Sequence, residues 1–163
     1  MLSPQRFDSD FLTLSHLIHS QTLGRIVEFE THFDRHQPSP RTTQTWRNEE
    51  LPGGGQIYDL GTHLLDQALV LFGMPKRVTA FITNQREGKT SEQGDSFTVV
   101  LHYEGGLMVT AKAAIVSPEV EQLRYWVRGE KGSFKKVDSQ TESAWRTPLT
   151  CWRSIISTVK RIN

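Results

Sequence analysis

Two carboxylates and one imidazole recur at helical spacing within one short segment of the chain. Asp59, His63 and Asp66 are separated by four and three residues, and side chains at these separations are neighbours on a helix surface. Imidazole gains and loses a proton near neutral pH, and an adjacent carboxylate can fix its tautomer and raise its basicity. The spacing therefore predicts a site that could move a proton to or from a bound hydroxyl group.

The same three residues allow two other interpretations. Carboxylates and imidazole are ligands that iron and zinc sites use, although the sequence shows no evident fourth ligand. A solvated helix face also carries polar residues of these types without any further role. On spacing alone, proton transfer, metal binding and an ordinary polar surface all remain open.

A helix that follows three consecutive glycines must position these side chains. Gly53, Gly54 and Gly55 precede the helix, and Gly73 with Pro75 ends it. Glycines let a backbone approach a ligand closely, but these three lack the G-x-G-x-x-G spacing of a dinucleotide fingerprint. The apolar side chains fall on a stripe opposite the polar ones, which predicts a helix packed on a core. That stripe consists of Ile57, Leu60, Leu64, Ala68, Leu71 and Phe72.

The rest of the chain is dominated by strand patterns. A first helix is predicted from Asp8 to Gly24, and strict alternation over residues 25–34 predicts a half-buried strand. Later strands follow one another through glycine turns at 104–106 and 129–132, without helices between them. This order predicts an α+β fold, with an open, mostly antiparallel sheet and two main helices packed on one face. The later predicted strands are 77–83, 96–103, 107–116, 123–128 and 133–137.

Composition limits the classes of partner. The 163 residues suit one domain, and a net charge of +1 leaves no basic patch for nucleic acid or an anionic membrane. No apolar run is long enough to span a bilayer. The single cysteine, Cys151, and the lack of a signal-peptide pattern favour the cytoplasm. Residues 138–163 form a divergent tail, in which a short amphipathic helix ending at Lys160 and Arg161 is predicted.

Several separated segments together resemble one enzyme family. The pattern Gly-Gly-Gly-x-x-x-Asp-x-Gly-x-His-x-x-Asp over residues 53–66 resembles the substrate-side motif of the Gfo/Idh/MocA oxidoreductases. Segments 6–11, 23–28 and 129–134, together with Trp46-Arg47, agree with the carboxy-terminal domain of that family in order and spacing. The resemblance covers about residues 4–137, so residues 1–137 are expected to form that domain.

This resemblance implies a chemistry and a set of roles. Members of the family are NAD(P)-dependent oxidoreductases of sugars, cyclitols and other polyols, and their carboxy-terminal domains form oligomers through an open sheet face. By resemblance, His63 would transfer the proton of a substrate hydroxyl, and Asp59 would bind the substrate and assist His63. Trp46 and Arg47 would flank the substrate. Asp66 would also belong to the substrate site, with a structural role as the alternative.

The departures from the family pattern limit what this chain could do alone. It has no Rossmann fingerprint and no Glu-Lys-Pro segment, which in the family supplies a lysine beside the histidine and aspartate. NAD or NADP is therefore not expected to bind this chain by itself, and turnover is not expected from it alone. We expect the substrate-binding and oligomerisation domain of a sugar or polyol oxidoreductase, as a fragment of a longer enzyme. The alternatives are a non-catalytic dimerising scaffold or truncated relic, and a metal-dependent enzyme that uses Asp59, His63 and Asp66.

Overall fold

Two helices lie against one face of a seven-stranded sheet in the computed structural model, which describes residues 4–39, 54–88, 94–139 and 160–161. A short 3-10 turn, Pro4–Phe7, precedes helix α1, Ser9–His19, and helix α2 is Thr62–Phe72. The strands are β1 (Ile26–His32), β2 (Arg77–Thr83), β3 (Ser96–His102), β4 (Met108–Ala113), β5 (Glu121–Gly129), β6 (Gly132–Ser139) and β7 (Lys160–Arg161).

The sheet has the order β2-β3-β4-β1-β5-β6-β7. Five of its six neighbouring pairs are antiparallel, and only β1 with β4 is parallel. The hairpins β3–β4 and β5–β6 account for two of the antiparallel pairs, because a short turn can join only antiparallel neighbours. The predicted α+β fold with an open, mostly antiparallel sheet is confirmed.

The tail differs from the prediction where the structure describes it. Lys160 and Arg161 do not end a helix but form β7, whose residues pair with Ser133 and Gly132 at the edge of the sheet. Pairing with an exposed edge supplies backbone hydrogen bonds that a short amphipathic pattern does not anticipate. The remainder of the predicted tail helix lies outside the described residues.

The core lies between α2 and the centre of the sheet. Phe29 on β1 is fully buried, and its ring meets that of Phe72 edge-on, with centroids 5.3 Å apart. Leu64 and Ala68 of α2 are fully buried above the same strands. Aromatic and aliphatic side chains at the predicted inward positions therefore fix α2 on the sheet.

A close backbone contact joins the start of β1 to the β5–β6 turn. The amide of Lys131 donates to the Leu23 carbonyl at 3.0 Å, and the guanidinium of Arg25 donates to Glu130 at 2.8 and 3.0 Å. A Cβ at Gly129 would lie 2.1 Å from the Leu23 carbonyl oxygen. Only glycine fits there, because any side chain would overlap the backbone of the α1–β1 connection.

Neither helix of the described residues is long and apolar enough to cross a bilayer.

Candidate functional site

The motif segment contains a π-helical turn that leads directly into α2. This turn comprises Ile57–Gly61, and the amide of Asp59 donates to the carbonyl of Gly55 at 3.2 Å. Gly55 has φ of +88°, a conformation that favours glycine. Single π turns at the ends or within α-helices occur frequently at functional sites. The sequence predicted a helix here, but not that its first turn would be wider than an α-helical one.

The glycine inside the motif has a packing role. A Cβ at Gly61 would lie 3.1 Å from Cγ1 of Ile57 and 3.3 Å from the ring of Phe97 on β3. The absence of a side chain therefore lets the π turn lie close against the sheet. Close packing fixes the position of the turn, and with it the direction of the neighbouring polar side chains.

Asp59 and His63 lie one turn apart at the junction of the π turn and α2. Both are half-buried, whereas their chain neighbours Leu60 and Leu64 are buried in the core. Side chains four residues apart on a helix have Cβ atoms roughly 5–6 Å from each other. The polar and apolar partition predicted for this helix is therefore confirmed. The catalytic roles of the two residues stay predictions.

Asp66 is held by a residue from the other end of the chain. The guanidinium of Arg6, in the 3-10 turn before α1, donates to both carboxylate oxygens of Asp66, and its Nε lies 2.6 Å from Oδ2. This pairing lowers the pKa of Asp66, with the positive charge of Arg6 and the nearby His63 acting in the same direction. The bidentate geometry favours a positioning role for Asp66, and its contact with substrate stays a prediction.

The three motif side chains do not form a metal site. Among the described residues, no group of three or more His, Cys, Asp or Glu side chains could hold a metal ion. The carboxylate of Asp66 instead forms an ion pair with Arg6. The metal-dependent alternative required Asp59, His63 and Asp66 to act together as ligands, and the structure does not bring them together as such a set.

A buried polar group next to the site was not predicted. Gln67, four residues after His63, is fully buried, and the hydroxyl of Thr31 on β1 donates to its Oε1 at 3.4 Å. The Nε2 of Gln67 and the hydroxyl of Tyr125 have no hydrogen-bond partner among the described residues. Burial raises the pKa of Tyr125. The interruption of the apolar run 64–72 by Gln67 is the sequence signal that could have indicated this group.

Two predicted substrate residues, Trp46 and Arg47, lie outside the described residues, as does Gly53.

A cavity of about 440 Å³ lies at the opposite end of α2 and contains neither Asp59 nor His63. Its lining is mainly apolar, with an ion pair between Lys76 and Glu104. The candidate site is therefore the half-buried polar surface at the start of α2, and this cavity is separate from it.

Comparison with known proteins identifies the family. Residues 11–135 match the GFO/IDH/MocA C-terminal domain. The chain belongs to the GFO/IDH/MocA oxidoreductase family. The resemblance inferred from the motif segments is thus confirmed, and the α+β domain with its π turn is the C-terminal domain of that family.

Individual GFO/IDH/MocA proteins match over most of this chain but a minor part of their own length. The chain is 40% identical over 136 residues to the uncharacterized oxidoreductase C115.03 of Schizosaccharomyces pombe, covering 81% of this chain and 37% of that protein. It is 37% identical over 141 residues to the scyllo-inositol 2-dehydrogenase (NADP(+)) IolW of Bacillus subtilis, covering 85% and 38%. The solved structure of YPO2259 from Yersinia pestis gives a TM-score of 0.72 at 44% identity, covering 83% and 36%. The chain therefore spans less than half the length of these relatives.

Proposed function

We propose that this chain is the substrate-binding and oligomerisation domain of an NAD(P)-dependent sugar or polyol oxidoreductase. The observation that carries the proposal is the placement of Asp59 on the π turn and of His63 in the first turn of α2, both half-buried, in a GFO/IDH/MocA C-terminal domain. Similarity to the B. subtilis scyllo-inositol 2-dehydrogenase supports a polyol as the class of substrate. The single cysteine, Cys151, is consistent with a cytoplasmic setting.

In this proposal, His63 accepts the proton of the hydroxyl group that becomes a carbonyl. Asp59 lies beside it and stabilises the imidazolium that forms, because an adjacent carboxylate favours the charged imidazole. The ion pair of Asp66 with Arg6 fixes the second turn of α2 and holds a negative charge near His63. Each of these steps uses only side chains that this chain supplies.

Oxidation of an alcohol also removes a hydride from carbon, which requires an acceptor. A dinucleotide is commonly bound where a parallel strand leads through a glycine-rich loop into a helix. The described residues contain no such unit, since their one parallel pair, β1 and β4, belongs to an otherwise antiparallel sheet. We place the cofactor site on a different polypeptide segment that meets the start of α2.

We further propose that the sheet face opposite the helices forms the oligomer contact. Register places Phe81 of β2 and Met108 of β4 on this face, and both are exposed, at 60% and 43%. Near the centre of this face, the carboxylate of Glu28 accepts one hydrogen bond from the indole of Trp126 at 3.4 Å and lies 3.1 Å from the guanidinium of Arg128. A face with ordered ion pairs and exposed apolar side chains can pack against the same face of a second copy of the chain.

Binding of polyols to the chain tests the substrate assignment. Two-dimensional NMR spectra would be recorded while scyllo-inositol and a panel of sugars are added to the wild-type chain and to His63→Asn. We expect at least one polyol to shift the amide signals of residues 57–66, and to shift them less in the variant. His16→Asn, an exposed histidine on α1, is the matched control and should behave as wild type. Absence of any shift at residues 57–66 would contradict the assignment.

A further inference from the structure

Strand β2 is the outermost strand of the sheet and is open to solvent on both of its faces. Among the described residues it pairs only with β3, so one of its backbone edges has no partner strand there. Six of its seven residues are exposed, whereas four of the seven residues of β3 are buried. The helices do not extend over β2, which leaves Val78 and Ile82 on the helix side 55% and 45% exposed.

The sequence of β2 lacks the usual devices that protect an edge strand. Arg-Val-Thr-Ala-Phe-Ile-Thr contains no proline and no glycine, its single charge is Arg77 at the first position, and its pairing with β3 is free of bulges. Most of its residues are β-branched or aromatic, types that favour strands. Natural edges are normally blunted by charges, prolines or bulges, because an exposed regular edge recruits another strand. An edge of this composition is therefore suited to pairing.

We propose that β2 pairs antiparallel with β2 of a second copy of this chain, about a two-fold axis at Ala80. In this register Ala80 faces Ala80, Thr79 faces Phe81, Val78 faces Ile82, and Arg77 faces Thr83. All seven residues of each strand are paired. The interface is distinct from the open sheet face and would join two sheets edge to edge.

Complementarity within this register selects a second copy as the partner. Val78 and Ile82 meet on the helix side, and Thr79 and Phe81 meet on the other, so branched and aromatic side chains lie opposite each other across the strands. The two copies of Arg77 lie at opposite ends of the paired strands, and no like charges face each other. A two-fold axis generates both halves of the contact from one strand, which satisfies the rule for a closed dimer.

Sedimentation of the full chain at concentrations up to roughly 0.5 mM tests the proposal, since an edge contact is smaller than the ~1,600 Å² of a standard interface. Ala80→Lys places two lysines opposite each other at the axis and should raise the dimer dissociation constant at least tenfold. The matched variant Ala80→Ser adds no charge and should leave it unchanged. Position 80 is exposed, so neither change disturbs the core. Equal dissociation constants for wild type and Ala80→Lys would overturn the proposal, and so would a wild-type chain that stays monomeric.

Cross-linking gives a readout that does not depend on the stability of the lysine variant. With Cys151→Ser as background, Ala80→Cys should form a disulfide-linked dimer on mild oxidation, whereas Thr62→Cys, exposed on α2, should not. Thr110→Lys, in the centre of the open sheet face, should leave this cross-link intact, which separates edge pairing from the face contact proposed above. Failure of Ala80→Cys to cross-link faster than Thr62→Cys would show that another segment or no segment covers the edge.

Discussion

Two regions of this domain carry the family motifs, and they use them for different purposes. At one, Gly129 and Glu130 are locked against Leu23 and Arg25 by backbone hydrogen bonds and an ion pair. At the other, the π turn and α2 present half-buried polar side chains next to a buried apolar face. Motif residues are thus divided between those that hold the sheet together and those that form the candidate site.

The difference shows in what each region would lose on substitution. Changes in the Leu23–Gly129 contact should affect folding, because the contact is backbone against backbone. Changes on the polar side of α2 should affect function while the fold persists, because those side chains contribute little to the core. The following predictions test this division, from the largest expected effect to the smallest.

Leu64→Ala should produce the largest loss of stability. Leu64 is fully buried and adjoins His63 in the sequence, so it serves as the apolar reference for the polar side of α2. Truncation of a buried leucine leaves a cavity and typically costs ~2–5 kcal/mol. Chemical denaturation monitored by tryptophan fluorescence would measure the free energy of unfolding. A loss comparable to that of His63→Ala would show that the two faces of α2 are not energetically distinct.

Gly129→Ala should come next. The added methyl group would lie 2.1 Å from the Leu23 carbonyl oxygen, so the α1–β1 connection or the β5–β6 turn must move. Such overpacking typically costs about 1–3 kcal/mol. Glu130→Ala is the control, because it removes only the exposed ion pair with Arg25 and should change stability far less. Thermal unfolding of both variants would decide whether the backbone contact, and not the ion pair, holds this region.

The Arg6–Asp66 pair should give a smaller, pH-dependent effect. The pKa of Asp66 is lowered in the folded chain, so its stabilising contribution is present above the usual carboxyl pKa and is lost as the pH falls through the folded value. We expect Asp66→Asn to lower Tm at pH 7, and the difference from wild type to shrink below about pH 4.

A double-mutant cycle with Arg6→Gln isolates this interaction. The effects of Arg6→Gln and Asp66→Asn on Tm should be less than additive, because each removes the same contact. Additive effects, or a difference between wild type and Asp66→Asn that persists unchanged at low pH, would assign the loss to something other than the ion pair.

Local patterns predicted the fold well but not its long-range contacts. A strand was predicted over residues 77–83, and β2 has these bounds. The helical stripe similarly identified Leu60 and Leu64 as core residues. The alternation over residues 25–34 puts His32 on the polar face of β1 with Glu30 and Asp34. It is nevertheless only 8% exposed, because these two carboxylates lie 2.9 and 3.4 Å from its ring nitrogens. Periodicity predicts the face of a helix or strand on which a side chain lies, but not which neighbouring side chains bury it.

The candidate site was predicted in part for the same reason. The spacing of Asp59 and His63 places them on one helix, which a single segment can reveal. The partner of Asp66 lies 60 residues away in the chain, and no local pattern connects Arg6 with it. The close packing of Gly61 against Phe97 joins the π turn to β3, a contact that exists only in the folded sheet. The sequence therefore indicates candidate site residues but not the contacts that hold them in place.

The role of His63 is the central claim, and kinetics tests it most directly. A polypeptide that joins this chain to a nicotinamide-binding segment would be assayed with polyol substrates, and His63→Asn compared with wild type and with His16→Asn. We predict that His63→Asn lowers kcat/KM by ~10²–10⁴-fold, the usual contribution of a general base, and changes the free energy of unfolding by less than about 0.5 kcal/mol. His16→Asn should match wild type in both. An unchanged kcat/KM in a folded His63→Asn enzyme would contradict the account.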